Sequence, residues 1–98
     1  MECHLINGTS FSLDISLVKL YAFKATNKET YQKFNKIIIN GPGDVFDMVT
    51  LLYTCYLINS LTKELTLEDF INNLTAECQS LSFLTNATNK IMNGTARK

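Results

Sequence analysis

The sequence predicts an α+β fold that is predominantly α. An N-terminal β-hairpin, about 3–15, packs on a bundle of four to five helices at about 16–25, 27–39, 45–61, 67–74 and 76–92, in one domain spanning 1–98. Three observations predict this. Asn7-Gly8, a strong hairpin-turn signal, lies between two short alternating runs. The longest apolar run, Asp44 to Leu61, follows the stop Asn40-Gly41-Pro42-Gly43. Helix-start signatures recur at Thr26-Asn27-Lys28-Glu29 and Thr66-Leu67-Glu68-Asp69.

In a two-residue type I′ loop, Ile6 would pair with Thr9, His4 with Phe11 and Glu2 with Leu13. Phe11, Leu13 and Ile15 then face the core, and Cys3 and Leu5 face outward, to be covered by another element or a neighbouring subunit. Ser16 or Asp14 opens the first helix, with Leu17, Leu20, Tyr21 and Lys24 at helical spacing and Val18 and Phe23 widening the stripe. The second starts at Asn27 under the Thr26 capping box, with Tyr31, Phe34 and Ile38 as its core line. The β-branched Ile37-Ile38-Ile39 leaves either a helical or an extended end.

The main helix opens at Asp44, an N-cap, with Asp47 as capping partner. Val45, Met48, Val49, Leu52, Cys55 and Tyr56 share one face at 100° per residue, and Phe46, Tyr53 and Leu57 widen it. Leu51 and Ile58 form a second apolar line. Either the neighbouring helices wrap this helix completely, or its second line belongs to a partner. A polar link, Thr62-Lys63-Glu64, leads to a short helix carrying Leu67, Phe70, Ile71 and Leu74, with Leu65 able to staple onto Phe70. The last helix carries Leu81, Leu84 and Thr88, with Phe83 and Ile91 beside them. Asn93-Gly94 should end it, leaving the last four residues frayed.

Composition bounds the function. Nine basic and nine acidic residues balance, and Glu29 sits among Lys28, Lys33 and Lys36, which argues against nucleic-acid binding. The apolar run has about seventeen residues and includes Asp47, Thr50, Thr54 and Asn59, too few and too polar for a membrane span of about twenty. The first residues lack a basic n-region and an apolar h-region, so no signal peptide is expected and the four sequons, at Asn7, Asn73, Asn86 and Asn93, carry little weight. Three dispersed cysteines, Cys3, Cys55 and Cys78, with the single His4 supply no zinc ligand set and imply reduced thiols.

No catalytic constellation emerges, and no metal or cofactor is expected. His4 lacks a nucleophile beside it, and Cys55 lies on a buried face. Asp44, Asp47, Glu68 and Asp69 are accounted for as helix-start carboxylates. Gly41-Pro42-Gly43 lacks the Lys-Ser/Thr of a phosphate loop, and Asp44 already occupies the positive helix end. Periodicity alone nominates Phe46, Leu51, Tyr53, Leu57 and Ile58 as partner-binding residues. A helix-turn-helix could be drawn over Thr66 to Leu84, but Glu68, Asp69 and Glu77 give it the wrong charge for DNA.

The layout also carries a resemblance. Ile6-Asn7-Gly8-Thr9 at a hairpin tip leads into Phe11-Ser12-Leu13-Asp14-Ile15. An apolar helix with Thr50-Leu51-Leu52-Tyr53-Thr54 follows, then Leu65-Thr66-Leu67-Glu68-Asp69 and a final helix. In order and local flavour, over nearly the whole chain, this resembles the tail assembly chaperones of siphophages that infect low-GC Gram-positive bacteria. Richness in Asn, Thr, Lys and Ile fits such a genome. The resemblance implies a non-enzymatic protein of the host cytoplasm, absent from the mature virion. It implies binding to the tape measure protein, recruitment of tail tube protein, self-association as a homo-oligomer, and a short form ending at Lys98. A structural head–tail connector or tail completion protein is the alternative.

Overall fold

The computed structural model describes residues 1–60 and 65–96. Two strands, β1 (Glu2–His4) and β2 (Ser10–Ser12), precede six helices: α1 (Leu17–Thr26), α2 (Lys28–Asn40), α3 (Val45–Asn59), α4 (Leu67–Asn72), α5 (Ala76–Gln79) and α6 (Leu81–Ala96). The α+β, mainly α architecture is as the sequence predicts. Leu61 and the polar link after it lie outside the described residues, as do 97–98.

The hairpin forms, but its register differs by one residue from the expected one. Glu2 faces Ser12, Cys3 faces Phe11 and His4 faces Ser10. The turn is the cause. Gly8 donates to the Leu5 carbonyl at 3.1 Å and Leu5 donates to the Thr9 carbonyl at 2.8 Å, so the loop holds three residues rather than two. Only Gly8 takes a positive φ, 92°, and Asn7 keeps a negative one, accepting instead from the Thr9 N–H through its side chain at 3.0 Å. This is a type I turn closed by a left-handed glycine. One extra loop residue reverses the facing of β1. Cys3 and Leu5 therefore point inward and are buried with Phe11 and Leu13. Beyond β1, Leu5 bridges Leu74, and Ile6 donates to the Asn73 carbonyl at 2.7 Å.

Ser16, not Asp14, caps α1, accepting from the Lys19 N–H at 3.2 Å. The capping box expected at Thr26 does not form. Asn27 alone separates α1 from α2, so Thr26 remains in α1 and its hydroxyl donates back to the Ala22 and Phe23 carbonyls. The Ile37–Ile39 segment stays helical. Gly41, at φ 82°, ends α2 by donating to the Ile37 carbonyl at 2.7 Å.

Helix α3 is the centre of the molecule. It packs against α1, α2, α4, α6 and β2. This explains why it is apolar nearly all round: Leu51, Leu52, Thr54, Cys55 and Tyr56 are all buried. The Thr54 hydroxyl is satisfied within the helix, donating to the Thr50 carbonyl at 2.9 Å. At the start, Asp44 accepts from the Asp47 N–H at 3.0 Å, and Asp47 accepts from the Gly43 N–H at 2.6 Å, one residue earlier than in a standard capping box. Asp44→Ala should cost about 1 kcal/mol and Asp44→Asn much less, because Asn caps as well as Asp; urea titration of the two variants checks the difference.

The C-terminal region departs most from expectation. Thr66 caps α4 as predicted, accepting from the Asp69 N–H at 3.2 Å. However, α4 ends at Asn72, releasing Leu74 to its bridge with Leu5. The single helix expected over 76–92 is two. Ser80 is extended, at ψ 146°, and its hydroxyl accepts from the Phe83 N–H at 3.1 Å, starting α6. Helix α6 then runs through Asn93-Gly94 to Ala96 instead of stopping there. Gly94 has no positive φ, and one glycine within a helix costs only about 1 kcal/mol. Leu84, Ala87, Thr88 and Ile91 form its buried stripe, whereas Leu81 is exposed.

Lys90 of α6 reaches back to Asp14 at 3.2 Å. The hydrogen bond and charge of Lys90 hold the Asp14 carboxyl below its ordinary value of 3.8. A carboxyl with a lowered folded pKa contributes stability above its unfolded value and loses it as pH falls through the folded one. Both groups are exposed, so the contribution is small. An NMR titration should show the Asp14 midpoint rising toward 3.8 in a Lys90→Met variant.

Candidate partner interface

The five residues nominated by periodicity do not form one surface. Leu51 is fully buried, so it cannot touch a partner without unfolding; the hypothesis of an exposed second line fails there because α3 is covered from several sides. Phe46 is exposed at the start of α3. Tyr53, Leu57 and Ile58 are partly buried against the core.

Tyr53 is tied into the interior by chemistry as well as by burial. Its ring lies 5.9 Å from Tyr56 and 5.3 Å from Phe70. Tyr56 is also 5.7 Å from Phe11, edge to face. Both tyrosine hydroxyls then hold Leu65: Tyr53 donates to its carbonyl at 2.8 Å, and Tyr56 accepts from its N–H at 3.1 Å. Burial, then the neighbouring Tyr56, pushes the Tyr53 phenol up from its ordinary value. These tyrosines fasten the start of the α4 region onto α3. A second fastening is Asn59, whose amide donates to the Ser12 and Asp14 carbonyls at 2.8 and 2.7 Å. It also accepts from the Lys19 ammonium at 3.4 Å, tying the hairpin exit and α1 to the end of α3.

The exposed apolar surface lies instead on α1. Leu20 and Phe23 face the core, but Leu17, Val18 and Tyr21 are 54%, 80% and 78% exposed. Ala22 and Ala25 are exposed too. Val18, Tyr21, Ala22 and Ala25 stand at i, i+3, i+4 and i+7, the spacing of a helix-contact stripe. Helix α1 therefore has two apolar faces, and the fold uses only one of them. The clue was already present in the sequence as Val18 beside the Leu17–Leu20–Tyr21 line, but periodicity cannot say which of two apolar faces is turned inward.

On one side of the stripe, α1 and α2 enclose two shallow, adjoining depressions of about 330 and 320 Å³, sharing Tyr21 and Lys24. Tyr31 lines the first and Lys28 the second. On the other side, Leu57 and Ile58 meet Lys19, Ala22 and Phe23 around a depression of about 310 Å³. Two of the nominated α3 residues thus border the α1 surface, while Phe46, Leu51 and Tyr53 do not line these depressions. The other exposed large apolar side chains are scattered over separate elements: Met1, Ile6 at the hairpin tip, Ile39 ending α2, Val45 and Phe46 opening α3, Leu67 and Leu81.

His4 is exposed on β1. Cys3, Cys55 and Cys78 are free and buried, and burial pushes the Cys3 and Cys55 thiols up, away from the reactive thiolate. A depression of about 420 Å³ beside Gly41 and Gly43 holds Asp47 with Lys33 and Lys36. The Asp47 carboxylate there already accepts from the Gly43 N–H. No helix among the described residues is long and apolar enough to cross a membrane. No protein-family model, curated protein or solved structure matches this chain.

Proposed function

We propose that this protein is a siphophage tail assembly chaperone. It binds the tape measure protein, keeps that long helical client soluble, and helps recruit tail tube subunits. It acts without catalysis in the host cytoplasm and leaves before the virion is complete. The observation that carries the reading is the apolar stripe of α1, Val18, Tyr21, Ala22 and Ala25, left exposed on a small helical domain of zero formal charge. A chaperone for a helical client needs such a surface, because affinity comes from apolar burial along a helix face. The order of elements, hairpin then helices, supports the same reading. Self-association then falls to other exposed apolar side chains, such as Val45 and Phe46, since Leu51 is in the core.

Coexpression with the tape measure protein tests this. The expected result is a soluble tape measure protein that co-purifies with this chain. A client that stays insoluble, together with recovery of this chain from purified virions by mass spectrometry, would contradict it in favour of a structural connector or tail completion role.

A further inference from the structure

The geometry points to the chemistry of the client segment: we propose that the α1–α2 groove takes an amphipathic helix whose apolar stripe is flanked by carboxylates. The identity of the client rests on the chaperone reading; its charge rests on the groove. Ala25, which lines the second depression, is small enough to let a second helix approach closely, and Tyr21, which lines both, offers a large anchor beside it. Among the described residues, Lys24 and Lys28 are the charged side chains lining the two adjoining depressions, with no carboxylate in either lining. Neither is ion-paired among the described residues. The Lys24 ammonium is held 5.4 Å above the Tyr31 ring, so it is already positioned at the rim.

The other lysines of these helices lie on different surfaces. Lys19 donates to Asn59, while Lys33 and Lys36 share a depression with Asp47. Glu29, which follows Lys28, is exposed but lines neither depression, so the charge facing the groove is that of Lys24 and Lys28. A basic client would set like charges together at this rim, and so would a second copy docked symmetrically through the same face. Nucleic acid would leave the stripe of Val18, Tyr21, Ala22 and Ala25 against phosphates, with two lysines to offset them.

The test uses the full chain, isotope-labelled, and two synthetic amphipathic helices that share one leucine stripe, flanked by Glu in one and by Lys in the other. The Glu peptide should shift amide resonances within 17–32 and bind about tenfold or more tighter than the Lys peptide, with the preference shrinking as salt rises. The double variant Lys24→Glu, Lys28→Glu should reverse the preference, and Tyr21→Ala should weaken both peptides. All three side chains are exposed, and circular dichroism checks that the variants fold. Equal binding of the two peptides, shifts centred outside α1 and α2, or displacement of the Glu peptide by an oligothymidylate would overturn the proposal. Coexpression separates it from the chaperone reading. If wild type and the charge-reversed variant solubilise the tape measure protein equally, the groove proposal falls and the chaperone reading stands. If the peptide preference holds but the tape measure protein is never solubilised, the reverse is true.

Discussion

Truncating Phe70 to alanine should lower the stability of this domain by about 3–5 kcal/mol, a large share of what a domain of this size has. Phe70 is fully buried and its ring lies 6.0, 5.3 and 5.3 Å from Phe11, Tyr53 and Tyr56. It therefore joins α4 to both α3 and β2. Its loss leaves a cavity at the meeting point of three elements that close packing cannot refill. It also loosens the support behind the two tyrosine hydroxyls that hold Leu65. Urea unfolding followed by circular dichroism reads the change as a fall in midpoint with little change in slope. Leu51→Ala belongs to the same class, at about 2–5 kcal/mol, whereas Phe46→Ala should stay within about 0.5 kcal/mol. That contrast separates two residues of α3 that periodicity alone treats alike.

The second large effect is on binding rather than folding. On the proposed function, Val18→Asp combined with Tyr21→Ala should weaken association with the proposed client, the tape measure protein, by about 30-fold or more, near 2 kcal/mol. Both side chains are largely exposed in the free chain, so the unfolding midpoint should move little. A buried aspartate facing an apolar client is disfavoured in the complex alone. Co-purification at matched expression, with calorimetry on the purified pair, measures the loss. An unchanged affinity would remove α1 from the interface.

Much of the fold is legible in the residues because local chemistry and tertiary packing agree there. Asp44, Ser16 and Thr66 open helices as their side chains suggest, and Gly41 closes one. The near-continuous apolar run of α3 announces a central helix. What was not legible turned on choices that short-range patterns leave open. Asn7-Gly8 fits both a two-residue and a three-residue loop, and the parity of that loop decides whether Cys3 faces solvent or the core. Ser80 starts a helix without a Glu or Gln three residues later, so nothing in the local pattern marks the break. The partner surface was the least accessible. Leu51 and Val18 are equally plausible members of a second apolar face. Only the positions of α2, α4, α6 and the hairpin cover one and leave the other exposed.

On the proposed function, α1, not α3, is the surface this chain offers to another. Amide hydrogen exchange of the protein alone and in complex with the tape measure protein tests it most directly. The expected result is slowed exchange on binding across 17–32, with the interior of α3, from Leu51 to Tyr56, unchanged. Slowed exchange confined to α3 or to the hairpin, with α1 unaffected, would contradict it.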